Sequence, residues 1–302
     1  SDLNGAGSNV DSVAFWEAPD PADTLMFVTS KGDPLVEIWP YPFNGNNGQS
    51  ELIDPCIDSG TNGVIVDQQA DLLYVSVRKS DNVCVFTLPD LVWIRTINSE
   101  EGYRSEPNLA LLHLTSGQTR LYVSDDDVVY IHNPVSGDQI GKFLSPFAGG
   151  LEAMAGDDFN QVVYIPDENG RSGIYTFDPD GNPVGGAFGG GGIFDSDEEG
   201  IAVYTCPGDG ASDNGEGLII VSDQRSSVND YEFFDRKTKA YLGKLSITGA
   251  NNTDGIALTQ QKSARYPKGI FAAIDDDTSA VVVGWQTISK AANFSCPETP
   301  NS

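Results

Sequence analysis

Basic side chains are scarce in this sequence: 17 Lys plus Arg stand against 44 Asp plus Glu, a formal charge of -27 over 302 residues. An acidic excess of that size argues against a nucleic-acid binder, which needs the opposite sign. Histidine occurs twice, at His113 and His132, and none of the four cysteines lies in a CxxC pair. A zinc site of the usual Cys/His kind is therefore not expected. No apolar run approaches the roughly 18 residues of a helical membrane span, so no membrane partner is expected either. No segment repeats its apolar residues at a helical period, and no Gly-x-Ser-x-Gly nucleophile turn is present. Ser1 to Asn9 lacks basic, apolar and cleavage regions, as expected of a chain whose signal peptide has been removed.

What the chain does contain is a repeat. Strand-like segments rich in β-branched and aromatic residues recur at Leu25–Ser30, Leu72–Ser76, Leu121–Asp125, Val163–Asp167, Leu218–Asp223 and Ile270–Asp275. Each is followed, after a polar turn, by a second strand: 36–39, 83–86, 128–131, 174–177, 231–234 and 280–283. Each pair is preceded by a start of polar, small or apolar, then apolar residues: Asp11-Ser12-Val13, Asn62-Gly63-Val64, Asn108-Leu109-Ala110, Glu152-Ala153-Met154, Glu199-Gly200-Ile201 and Asp254-Gly255-Ile256. These starts lie 44 to 55 residues apart, and a fourth strand closes some units, as at 241–247. Six such units predict an all-β, six-bladed β-propeller filling residues 1–302 as one domain. A β-sandwich offers no reason for six similar units. The longest irregular stretch, Asp178 to Gly192, reads as a flexible surface loop. It opens like a calcium loop, but Gly189 stands where an EF-hand needs its closing Glu.

The first strand of each blade lines a propeller's channel. If the six polar starts meet at one mouth, Asp11, Asn62, Asn108, Glu152, Glu199 and Asp254 form a ring of oxygen donors. Hard oxygen ligands without His or Cys suit calcium, and clustered carboxylates need a cation to stay ionised together. Each residue could instead cap a turn; recurrence at one repeat position favours the ring. Four cysteines, the sequons at Asn251 and Asn293, and scarce Lys point to a secreted, extracellular glycoprotein with disulfides. Cys56 precedes the second unit and Cys84 lies on its outer side, so Cys56–Cys84 is a short link. Cys206 and Cys296 remain to tie down the tail.

Several segments carry a family resemblance. Glu152–Glu168 reads EAMAGDDFNQVVYIPDE, an acidic start leading to a strand that ends in two acids. DEEGIAVY at 197–204 resembles D-x-E-G-L-T-I-Y; NNTDGI at 251–256 and RYPKGIF at 265–271 resemble T-D-G-I and Y-P-x-G-I-F. YEFFDR at 231–236 and YLG at 241–243 fit the strands between, and Asp11–Trp16 is a looser match to D-D-P-A-I-W. The sequence thus resembles the alkaline, calcium-dependent β-propeller phytases. That resemblance implies calcium ligands at Asp11, Glu152, Glu168, Asp197, Glu199 and Asp254, and phosphate contacts from Lys31 and Arg78. Glu199, Asp254, Lys31 and Arg78 would then carry the chemistry. The expected partner is a small anionic substrate, phytate or another phosphoester or else an acidic sugar, and the chain is expected to be a monomer. There are departures: Ser12 replaces the second N-terminal acid, Pro107 and Asp126 stand where the family has Tyr and Lys, and Ala257 replaces the Asp of D-G-I-D. A lactonase- or organophosphatase-like calcium enzyme, a lyase acting on acidic sugars, and a non-catalytic binding protein are the alternatives.

Overall fold

One repeat makes one antiparallel sheet. The computed structural model describes residues 2–4 (as backbone), 7–44, 49–103, 105–146, 150–168, 172–207 and 212–296. Within them, six sheets form the blades of a β-propeller, with hydrogen-bonded strands following chain order outward from the channel. Blade 1 runs Val10–Trp16, Leu25–Ser30, Val36–Pro40 and Ser50–Leu52; blade 2 runs Thr61–Asp67, Leu72–Val77, Val83–Thr87 and Trp93–Ile97. Blade 3 comprises Leu109–His113, Thr119–Asp125, Val128–His132 and Gln139–Leu144. Blade 4 has Ala155–Asp157, Val162–Pro166 and Ile174–Phe177, and blade 5 has Asp197–Thr205, Gly217–Gln224, Asp230–Asp235 and Tyr241–Ser246. Blade 6 has Ile256–Thr259, Ile270–Asp275 and Ser279–Gly284.

Burial explains the sequence pattern. The second strand of a blade is covered on both faces by its neighbours, so Leu72–Val77 and Val162–Pro166 are almost wholly buried and read as continuous apolar runs. The outermost strands Gln139–Leu144 and Tyr241–Ser246 alternate between partial cover and exposure. Six apolar clusters fill the six seams between adjacent blades. Phe27 and Ile38 meet Leu73 and Phe86 between blades 1 and 2, for example, and Ile165 and Phe177 meet Ala110 and Tyr122 between blades 3 and 4.

The ring closes through the N-terminus. Asp2–Asn4 pairs antiparallel with Ser279–Gly284, with Asp2 opposite Val281, and becomes the outermost strand of blade 6. Both expected disulfides are present: Cys56–Cys84, and Cys206–Cys296 across a separation of 90 residues. Two expectations need correction. The stretch 178–192 is not simply a loop: Val184 N donates to Thr176 O at 2.8 Å, Phe188 bridges Ile174, and the Phe188 ring meets Tyr164 and Phe234. It takes the edge place that a fourth strand holds elsewhere, because its apolar Phe188 pins it to the seam. The chain also contains a helix, Trp285–Ala291, of seven residues. It is too short to show a period, but it buries Trp285 and Ile288, and Trp285 stacks on Tyr204 with ring centroids 4.3 Å apart.

Candidate functional site

The six inner strands surround a channel of about 400 Å³. Their polar starts gather at one mouth for two local reasons. First, the pairing of the inner with the second strand shifts register by a bulge at Val10/Val13, Thr61/Val64 and Glu198/Gly200. A bulge re-aims the side chains beside it, here Asp11, Asn62 and Glu199. Second, neighbouring starts approach closely. A Cβ on Gly200 would lie 2.6 Å from Asp254 O, and one on Gly255 would lie 2.6 Å from Asp11 O. The small second residue of those repeats is therefore a packing requirement.

Lys31 stands at the centre of the acids. Its Nζ is 2.6 Å from Asp11 Oδ1, 3.4 Å from Glu106 Oε2, 3.7 Å from Glu152 Oε2 and 3.9 Å from Asp254 Oδ2. Burial works against its charge, but Asp11, Glu152 and Asp254 outweigh burial and hold the ammonium above its ordinary pKa. Arg78 Nη2 pairs with Glu106 Oε1, and its Nη1 donates to Lys31 O at 2.9 Å. Both cations expected to meet phosphate thus lie at the mouth, each already engaged by carboxylate.

The remaining acids crowd behind them. Burial first, and then Asp11 and Glu168 against the help of Lys31, push the Glu152 carboxyl up to about 7. Burial and Asp11 push Asp254 up to about 8. Burial, with Glu152 and Asp254, holds Glu199 well above the carboxylate range. Glu168 is raised by burial and by Asp197, which lies on the exposed rim. Gln224 Nε2 donates to Asp254 Oδ1 at 2.5 Å, and Ser12 Oγ to Asp11 Oδ2 at 2.8 Å. These groups cannot all be ionised together without more positive charge than Lys31 supplies.

The two amides fasten blades together. Asn62 Nδ2 donates across the blade 2–3 seam to Glu106 O at 3.2 Å, and Asn108 Nδ2 donates across the next seam to Glu152 O. Asn108 Oδ1 accepts from Leu109 N at 2.9 Å, as a turn-capping residue would. Asn62 Oδ1, by contrast, is buried with no protein partner among the described residues, as is Glu168 Oε2. Orphaned buried oxygens beside raised carboxyls, in a donor set made only of oxygen, fit a hard cation such as calcium.

Two acids that the repeat does not point to join the site. Glu106 directly precedes the Pro107-Asn108 start and holds both cations. Asp277 hydrogen-bonds with Asp254, and its carboxyl is raised chiefly by burial. Its backbone O accepts from Val10 N at 2.9 Å, tying the last blade's turn to the first blade. The run Asp275-Asp276-Asp277 is the only sequence signal for it. A tighter acidic group, Asp223, Asp230 and Glu232, lies in blade 5. It is already answered by Arg225, 2.7 Å from Asp223, and Lys244, 2.7 Å from Asp230.

The far ends of the inner strands carry a different set of charges. His113 Nδ1 lies 2.9 Å from Asp158 Oδ2 and its Nε2 3.1 Å from Asp67 Oδ1, so one imidazole spans blades 2, 3 and 4. Buried Arg236 pairs with Asp157 and lies 2.7 Å from Asp213.

A family model described as phytase matches residues 131–292, just over half the chain. The match spans Glu152, Glu168, Asp197, Glu199 and Asp254, but not Asp11, Lys31, Asn62, Arg78, Glu106 or Asn108. Among curated proteins, none matches. A six-bladed propeller with an acidic channel mouth, matched over that span, places the chain in the phytase family.

Proposed function

We propose that this protein is a secreted, calcium-dependent phosphomonoesterase acting on phytate or another small anionic phosphoester. The observation that carries the reading is the meeting of Lys31 and Arg78 with Asp11, Glu152 and Asp254 at one channel mouth. Calcium held by Asp11, Glu152, Glu168, Asp197, Glu199 and Asp254, with the free oxygen of Asn62 and with Asn108 at the seam, would neutralise the ring and acidify a bound water. Lys31 and Arg78 bind the anionic oxygens of the phosphoryl group and stabilise the charge that develops on them. Glu199 and Asp254, both buried in the ring, would accept hydrogen bonds from a bound water and orient it. Secretion is supported by two disulfides, which suit an oxidising compartment.

The test is a panel of phytate, simple phosphomonoesters, lactones and uronides, each assayed with calcium and with chelator. Phosphate release that requires calcium is expected. Turnover of a lactone or uronide instead, or phosphate release undiminished by chelator, would replace this reading.

A further inference from the structure

Glu106 occupies the place in which a substrate anion would meet the two cations. Its Oε2 lies 3.4 Å from Lys31 Nζ and its Oε1 pairs with Arg78 Nη2. The backbone that presents it is held by hydrogen bonds on both sides of the seam. Glu106 O accepts from Asn62 Nδ2 at 3.2 Å, Pro107 O accepts from Gly63 N at 3.2 Å and from Ser76 Oγ, and Asn108 N donates to Ser124 Oγ at 3.0 Å. Only the side chain is free to turn, and it is 27% exposed, so it can swing outward without unfolding the seam. Among the described residues, buried Arg78 Nε has no hydrogen-bond partner.

We propose that Glu106 is a resident competitor at the anion site: a carboxylate on the phosphate-binding cations that an incoming anion must displace. The proposal rests on the phosphate-binding role given above to Lys31 and Arg78. Its consequence follows from charge. A monoanionic group, such as a carboxylate or a phosphodiester, gains from Lys31 and Arg78 about what Glu106 gives up. A dianionic phosphomonoester brings a second charge and more acceptor oxygens. Displacing Glu106 costs every anion the same, so it lowers all affinities by a similar factor; a monoanion is left with little net binding, while a dianionic phosphomonoester still gains.

The test is calorimetric titration of the calcium-loaded protein with inorganic phosphate at pH 7.5, below the solubility limit of its calcium salt, and separately with dimethyl phosphate. Glu106→Gln keeps the shape and removes the charge. It should bind phosphate about tenfold more tightly than the wild type, the scale of one charge-assisted contact. It should gain a comparable factor for dimethyl phosphate, and lose both gains when combined with Arg78→Gln. Glu106→Asp, which withdraws the carboxylate but keeps its charge, should show a smaller gain and serves if the Gln variant does not fold. Unchanged or weaker phosphate binding by a folded variant overturns the proposal. So does a parallel loss of calcium affinity, which would make Glu106 a metal ligand. Absence of calcium-dependent phosphate release from both phytate and simple phosphomonoesters by the wild type would defeat the phosphatase reading, while the phosphate titration would still decide the role of Glu106.

Discussion

Lys31 Nζ lies 2.6 Å from Asp11 Oδ1, so the acid expected to bind metal and the cation expected to bind phosphate form one ion pair. Lys31 also reaches Glu152 and Asp254 within 4 Å, which makes it the resident counter-ion of the channel mouth. Removing one partner of a largely buried pair leaves uncompensated charge. In chelator, Lys31→Met should therefore lower the thermal midpoint on the order of 5 °C. Calcium should restore much of that loss. A variant as stable as the wild type in chelator would show that the acids do not depend on Lys31.

Calcium itself should stabilise the fold. A ligand that binds only the native state contributes about 2.7 kcal/mol at one hundred times its Kd, roughly 5 °C or more for a chain of this size. Melting curves in calcium and in EGTA measure it. Coincident midpoints would count against a calcium site at the mouth.

Metal and anion functions should separate by mutation. Glu199→Ala and Asp254→Ala each remove an acid buried in the ring. Both should abolish calcium stabilisation and turnover together. Arg78→Ala should leave calcium stabilisation nearly intact and weaken only the anion, raising KM or lowering kcat about tenfold or more. Calcium titration of the three variants beside their turnover checks this, and full turnover by Arg78→Ala would move the phosphate contact elsewhere.

The His113 clasp predicts a pH dependence. Hydrogen bonds to Asp158 and then Asp67, against the cost of burial, raise its pKa from the ordinary value to about 10. A group whose folded pKa is raised contributes fully below its unfolded value, near 6.5, and loses that contribution as pH climbs through about 10. The effect of His113→Gln should accordingly be greatest near pH 6, about 2 kcal/mol or roughly 4 °C, and should fade by pH 10. Melting both proteins from pH 5 to 10 reads it directly; a difference that grows with pH would have the wrong sign.

The two sequons should differ in occupancy. Asn251 is half-buried, and both its N and its Nδ2 donate to Asp275 Oδ1, at 2.8 and 3.2 Å. Thr253 of that sequon is fully buried against Tyr231 Oη. Asn293 is exposed just past the helix. Peptide mass mapping of protein secreted from a glycosylating host should find the glycan at Asn293 in preference to Asn251, and higher occupancy at Asn251 would reverse the order.

The sequence by itself determined the blade count, the strand sets, the disulfide pairs and the acids that begin each blade. These signals are local and repeated: strand-forming runs, turns, and a polar residue followed by one small enough for close packing. The outer edge of blade 4 and the seven-residue helix were not legible, because one bridge at Phe188 and two buried apolar residues in a helix of about two turns leave no period. Only the tertiary structure decided that Asp2–Asn4 closes the ring, that Asn62 and Asn108 fasten seams, and that Lys31 and Arg78 lie under Glu106. Asp277 and the three-blade reach of His113 belong with them. Such contacts join residues 20 to more than 200 positions apart, and the direction of each side chain depends on a bulge or a turn. Six strand starts can be counted along a chain, but which charges meet at the mouth is settled only when the ring closes.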